Sequence, residues 1–399
     1  MPCDLADYEV SFLRLIEKLT NGTTIEISYT GTTVLLHPGL LPGGTYTHTC
    51  PTSRGIGYFL EPLVVLGCFG KRALEITLDG ITGEEGRDLS VDMIRTVTLP
   101  HLHLFGIEDG LELQIKKRGA APLGGGRVVF RCPVVKSVKT LNFTSPGKIK
   151  RIRGISMVDA ARGVLNRYIP DIYLYTDVYK GEDSGKSPGY GLTLLALSNT
   201  SALHSAETIS VPAPSSTTPA SFDTLASTTS TQRFQTPEEL ATHAARLLLE
   251  SVARGGCVDE SHQWLVLLMM VLGPEDVGRC RMGALTPFSI QFLRDLYDFF
   301  SVRFKIAPLD SPLASNAVAD STATDGEAAA PNGEEGGESS SEASENEGQV
   351  VLGMQVNEVK RAKGEEEESS GIRNGKYRPK EFMVSCVGMG YGNINRSAA

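Results

Sequence analysis

Apolar residues recur at helical spacing most clearly in the later part of the chain. Leu240, Ala244, Leu247 and Leu248 share one face, and Thr236-Pro237-Glu238-Glu239 precedes them. That tetrapeptide supplies an N-cap, a proline at the first helical position and a capping-box glutamate. Gly255-Gly256 ends the helix. A second helix is predicted over 259–272, stopped by Gly273-Pro274, and a third starts at Thr286-Pro287. On the third, Ile290, Leu293, Tyr297 and Phe300 form an apolar stripe expected to face the core. Gln291, Arg294, Asp295 and Asp298 form the other stripe, either a solvated face or a docking face for a partner. The first third of the chain alternates shorter elements. Strands are predicted over 24–29, 33–37, 74–78, 111–116 and 128–132, and helices over 58–67 and 90–104. That order predicts an α/β (α+β) fold.

An internal repeat points to repeated sheet-and-helix units. Gly43-Gly44 followed by Cys50-Pro51 recurs as Gly125-Gly126 followed by Cys132-Pro133, an offset of 82 residues. Two stretches have little to bury and are expected not to fold: 205–235, rich in Ser, Thr, Pro and Ala, and 308–380, rich in Glu, Ser, Gly and Ala.

The second stretch changes the electrostatic picture. The whole chain of 399 residues carries net charge −9, but 308–370 holds 15 acidic and 3 basic residues. The remaining 32 acidic and 35 basic residues leave a mildly basic folded part, which an acidic insert masks. Seven cysteines without a C-x-x-C pair fit reduced thiols in cytosol or nucleus. The longest apolar run, 264–272, is too short to span a membrane, and no signal peptide opens the chain. Secreted, membrane and disulfide-scaffold classes are therefore not expected.

Few motifs carry chemistry. Gly181 to Gly185-Lys186-Ser187 imitates a phosphate-binding loop but is one residue short, and Pro188 stands where the helix must begin. His101 and His103 diverge on a helix and lack a third ligand, so no metal site is expected. No Ser/His/Asp or Cys/His arrangement has supporting local sequence, and His262 is expected to be a half-exposed helix residue. Lys148, Lys150, Arg151 and Arg153 alternate with apolar residues and could each neutralise a phosphate or simply be solvated. On a regular strand Ile149 would share a face with Arg151 and Arg153. Arg118-Gly119-Ala120-Ala121-Pro122-Leu123-Gly124-Gly125-Gly126 is the most informative stretch. Three glycines before a strand suit either close approach to an anion or another chain, or a plain turn beside a solvated arginine.

This nonapeptide resembles the R-G-x-x-P-x-G-G-G signature of the RNA 3′-terminal phosphate cyclase family. Further segments are similar to the nucleolar, non-cyclising branch of that family: Arg54-Gly55-Ile56-Gly57-Tyr58, Lys148-Ile149-Lys150-Arg151-Ile152-Arg153-Gly154, Ser184-Gly185-Lys186-Ser187-Pro188-Gly189 and Gly255-Gly256-Cys257-Val258-Asp259. The resemblance covers nearly everything outside the two low-complexity stretches. It implies repeated sheet-and-helix units with a smaller inserted α/β domain. Residues 1–147 would hold the first units, with an N-terminus shorter than the family's, and 148–204 the inserted domain, short of one strand. A Ser/Thr-rich loop (205–235), the third unit (236–306), the acidic insert (307–380) and a final core strand (381–395) would follow.

The same resemblance places the cyclase nucleophile, a histidine, at Phe288, and the nucleotide-pocket Asp-Gln pair at Trp264 and Leu265. A phenyl ring has no lone pair with which to attack ATP. The resemblance thus implies a protein without cyclase activity, cofactor or metal, with Lys186 and the basic 148–153 segment as candidate RNA or anion contacts. It also implies a place in the nucleolus during early 40S subunit assembly. There it would bind a ribosome-biogenesis GTPase, with pre-rRNA and small nucleolar RNP of the 90S pre-ribosome, and support the cleavages that yield 18S rRNA. The alternative is an endoribonuclease that cuts pre-rRNA itself, for which Arg294 and Asp295 are scattered candidates.

Overall fold

The computed structural model describes residues 5–394 except 84–85, 87, 156–158, 170, 211–235, 310–371, 374–375 and 378–379. Most of the two low-complexity stretches therefore lies outside the described residues. Helix α1 (Asp7–Leu19) begins with Asp7 and Glu9 near the positive end of its dipole, and the Glu9 carboxylate accepts the Ala6 N–H at 2.8 Å. An antiparallel hairpin of β1 (Thr24–Ile27) and β2 (Val34–His37) follows.

The next unit runs β3 (Gly44–Thr49), α2 (Ile56–Leu66), β4 (Leu74–Gly80), a helical stretch, β5 (Glu112–Lys117) and β6 (Gly126–Cys132). Its sheet order is β3-β4-β6-β5, with β3 and β4 parallel and the other pairs antiparallel. Alternate residues of β4 and β6 are buried: Leu74, Ile76 and Leu78 face Val128 and Phe130 in the core. Helix α2 packs close because Gly57 lacks a side chain; a Cβ there would fall 1.8 Å from the Leu89 carbonyl oxygen. Arg54, just before it, makes a two-pronged ion pair with Asp88 at 2.6 and 2.8 Å, 4.8 Å from the Tyr8 and Tyr58 ring centres. The expected helix over 90–104 is not one regular helix. It is α3 (Val91–Met93), a π-turn (Ile94–Thr98) and α4 (Leu99–His103). Pro100 has no N–H to donate backward, which favours the wider turn ahead of it.

Strand β7 (Asn142–Phe143) leads into a second sheet: β8 (Ile149–Ile155), α5 (Asp159–Leu165), β9 (Ile172–Tyr175), β10 (Gly191–Ser198) and β11 (Leu203–Ile209). The order is β11-β10-β8-β9. Helix α6 (Pro237–Arg254), with Thr236 accepting the Glu239 N–H, closes one face of it, burying Leu240, Ala244, Ala245 and Leu248 against Ile152, Leu194 and Ala196. The helix that Thr236 opens thus packs on the β8–β11 sheet. Pairing in β8 slips by one residue at the Leu197/Ser198 junction of its partner. This bulge corrects the expected facing. Ile149 joins Ile152 on the covered side, while Arg151 and Arg153 face the other way.

After α6 come α7 (Gln263–Val271), β12 (Val277–Met282), α8 (Pro287–Phe300) and β13 (Lys305–Pro308). Strands β14 (Ile372–Arg373) and β15 (Lys376–Tyr377) pair antiparallel with each other. Strand β16 (Phe382–Val387) completes a sheet of order β13-β16-β12-β7. Here β7 and β12 are parallel, and β12–β16 and β13–β16 antiparallel. Strand for strand, this repeats the β3–β6 sheet. The repeat seen in the sequence is a different one. Its two Cys-Pro copies close β3 and β6, both in one sheet, so the 82-residue offset spans one unit rather than separating two.

Candidate functional site

The glycine-rich loop docks on the 181–188 loop. Arg118 N–H donates to the Asp183 carbonyl (2.9 Å), Lys186 N–H to the Gly124 carbonyl (2.9 Å), and Leu123 N–H to Ser187 Oγ (3.1 Å). Gly124 and Gly125 have φ of +62° and +89°, and a Cβ on Gly119 would fall 2.2 Å from the Gly126 nitrogen, so the glycines serve a close backbone approach. The bond between Ala121 and Pro122 is cis. Arg118 is not a solvated arginine. It pairs with Asp92 (2.5 Å) and Asp177 (3.0 Å), with its guanidinium 5.1 Å from the Tyr179 ring centre. Burial works against its charge, but hydrogen bonds and the field of the two aspartates outweigh that and hold its pKa above the ordinary range. Lys186 is exposed, and a shallow cavity of about 220 Å³ opens at Asp79, Lys117, Gly125, Gly126 and Arg127. The 181–188 segment forms only a single 3-10 turn (Gly181–Ser184), without a helix to cradle phosphate.

At the start of α8, Thr286 caps the helix by accepting the Ser289 N–H at 3.0 Å. Gln263 bolts this end to α7. Its Nε2 donates to the Ala284 carbonyl (3.1 Å), and its Oε1 accepts from Ser289 Oγ (2.7 Å). Phe288 is 63% exposed, stacked on Phe292 with ring centres 5.9 Å apart. Leu265 is buried in the main core and Trp264 packs against it. The apolar stripe differs from the expected one. Ser289 and Leu296 are buried and Phe292, Leu293 and Phe300 pack on the core, whereas Ile290 and Tyr297 are exposed. Gln291, Arg294 and Asp298 are exposed and Asp295 half-buried; Gln291 links to Asp295 (3.0 Å) and Arg294 to Gln291 (3.3 Å).

The sequence reading missed one polar cluster. His262 is fully buried, not half-exposed, with Nδ1 2.6 Å from Asp259 Oδ1 and Nε2 2.9 Å from Thr98 Oγ1. Ser205 donates to the other Asp259 oxygen, and His101 stacks on His262 at 5.1 Å. Burial alone would push the Asp259 carboxyl up, but the His262 and His101 rings and the hydrogen bonds from His262 and Ser205 bring it to about 2. Burial, then the field of His262, lowers His101 to about 4. The groups match an acid–base–hydroxyl set, yet all are closed to solvent, so the cluster joins the π-turn, β11 and the start of α7 rather than meeting a substrate. Only Asp259, three residues before His262, was visible as a signal. His103 is exposed, whereas His101 is buried. Among the described residues no group of three His, Cys, Asp or Glu could hold a metal ion, and no helix is long and apolar enough to cross a membrane.

Lys148, Lys150 and Arg153 are exposed; Arg151 is half-buried and donates to Asp171 at 2.9 Å. The six described cysteines are buried free thiols, and burial pushes Cys50, Cys257 and Cys386 up to about 12.

Comparison with known proteins accounts for this combination. The family model described as RNA 3′-terminal phosphate cyclase matches residues 4–306. A "Probable RNA 3′-terminal phosphate cyclase-like protein" of Dictyostelium discoideum is 49% identical over 76% of this chain and 84% of its own length. The RNA 3′-terminal phosphate cyclase-like protein of Homo sapiens is 47% identical over 76% of this chain and 80% of its own. The rRNA processing protein rcl1 of Schizosaccharomyces pombe is 42% identical over 76% of this chain and 82% of its own. By the span of the family match and by these identities, the chain belongs to the RNA 3′-terminal phosphate cyclase family, among its cyclase-like members.

Proposed function

We propose that the chain is a non-cyclising member of its family that acts in pre-ribosomal RNA processing. Phe288 carries the first half of this reading. An exposed phenyl ring stands at the first turn of α8, where the resemblance places the cyclase histidine, and carbon cannot accept AMP from ATP. The second half is supported by the name of the Schizosaccharomyces pombe relative, an rRNA processing protein. On this reading the chain works in the nucleus and nucleolus, in early assembly of the small ribosomal subunit, and supports the cleavages that yield 18S rRNA. Its partners are a ribosome-biogenesis GTPase, met by the Gln291, Arg294, Asp295 and Asp298 face, and the pre-rRNA and small nucleolar RNP of the 90S pre-ribosome. The two sheets of equal strand order, with β8–β11 between them, are what we assign to the cyclase fold. The competing endoribonuclease reading gains nothing from Asp259, His262 and Thr98, which are sealed from RNA.

Incubation with ATP labelled at the α-phosphate should leave no AMP on the protein. A stable adduct, lost on His262→Asn, would overturn the non-cyclising reading. In cells depleted of the endogenous relative, the full chain should restore 18S rRNA, and failure to do so would sink the processing role.

A further inference from the structure

We propose that the open face of the inserted sheet binds single-stranded RNA, with bases stacking on Tyr173 and Tyr175 and phosphates meeting Arg151 and Arg153. This rests on the reading that the chain handles pre-ribosomal RNA, and adds which surface does so and which form of RNA it takes.

The register builds that face. Arg151 lies beside Leu197 and Arg153 beside Leu195 on β10, and Arg153 lies beside Tyr173 on the parallel edge strand β9. Residues paired in register share a face, and alternate residues along a strand do too. One side of the sheet therefore carries Leu195 and Leu197, then Arg151 and Arg153, then Tyr173 and Tyr175. The opposite side is closed by α5 and α6. On the open side the cover stops at β10, where Leu195 and Leu197 pack with Met93 and Val97 of the neighbouring helical stretch. Beyond it Tyr173 and Tyr175 are 56% and 53% exposed, and no core packing calls for rings there.

The arrangement has the chemistry of a single-strand platform. Two rings two residues apart on a strand stand about 7 Å from each other, within reach of successive unstacked bases. The Arg151 guanidinium sits 4.9 Å from the Tyr173 ring centre, posed by Asp171, which occupies one of its donors and leaves others for phosphate. The exposed Lys148, Lys150 and Arg153 extend the positive track. A duplex would use the cations but could not offer its base faces to the rings. A protein partner could also use tyrosines and arginines; a row of exposed rings beside a row of cations on one open face favours RNA.

Fluorescence anisotropy of the full chain with short labelled oligouridylate, oligoadenylate and their duplex tests this. Tyr173→Ala with Tyr175→Ala should weaken both single strands by about tenfold or more, with the salt slope and the duplex affinity unchanged. Tyr173→Phe with Tyr175→Phe should bind like the wild type. Arg151→Ala with Arg153→Ala should reduce the salt slope by about 1–2. Photocrosslinking of an iodouridine strand to the unmodified chain should label the 172–175 strand, which keeps the test decisive if the alanine pair does not fold. Alanine variants that bind as the wild type does, a preference for duplex, or crosslinks elsewhere would overturn the proposal and leave the face to a protein partner. Rescue of 18S rRNA by a chain that binds no single strand would sink the platform alone; binding without rescue would sink the processing role alone.

Discussion

Two carboxylates, half-buried Glu207 and buried Asp259, respond to pH in opposite directions. Glu207 on β11 accepts from Ser90 Oγ (2.5 Å) and Thr193 Oγ1 (2.7 Å). Burial raises its pKa from 4.5 to about 7 against the pull of those hydrogen bonds. Its contribution to stability is thus fully present below 4.5 and is lost as pH rises through about 7. The melting temperature should fall across that window, and Glu207→Gln should flatten the fall; equal slopes would count against a titrating Glu207. Asp259 lies on the other side of the argument, held at about 2 against an ordinary 3.8. Its contribution is present above 3.8 and lost as pH falls through about 2. Asp259→Ala leaves His262 buried without its carboxylate and should cost about 3–5 kcal/mol in urea denaturation. A cost below about 1 kcal/mol would mean that the pocket repacks or floods.

Helix α8 shows what an element's sequence discloses and what it withholds. Thr286-Pro287 announced its start, and the cap is there. Thr286→Ala should therefore lower stability by about 1 kcal/mol, read as a drop in denaturation midpoint without a change in slope. Which stripe faces inward was not legible. Phe288, Ile290, Phe292, Leu293, Leu296, Tyr297, Phe299 and Phe300 surround most of the helix, so periodicity alone fits more than one rotation. Packing against α7, through Gln263 and Ser289, selects the rotation. Strands β4 and β6 were legible because each alternates against one core. The bulge in β8 was not, since it depends on a partner strand 46 to 49 residues away. The His262 cluster escaped for the same reason: Thr98 and Ser205 reach it from other elements. At the α8 surface, Arg294→Ala with Asp295→Ala should leave the melting temperature nearly unchanged, as exposed polar pairs contribute about 0–1 kcal/mol. If this face docks the GTPase, the same variant should capture it at least several-fold less; unchanged capture moves the docking site elsewhere.

For the whole molecule, charge is divided along the chain. Removing 311–370 deletes all but one of the 15 acidic residues of 308–370 and spares β13 and, just after it, Leu309, whose N–H bonds to the Glu381 carbonyl. The shortened chain should bind RNA nonspecifically more tightly at low salt, by a margin that shrinks as salt screens it. Equal affinity at low salt would show that the acidic stretch does not act on the RNA-binding surface. The two sheets of equal order also differ in when they can close. Every strand of the β3–β6 sheet lies within 44–132, whereas β7 must wait for β12 until β8–β11 and α6 have been made. A chain leaving the ribosome N-terminus first can therefore complete one sheet while the short strand that begins the other still has no neighbour, so β7 is a late arrival in its own unit and the segment a chaperone would have to shield longest.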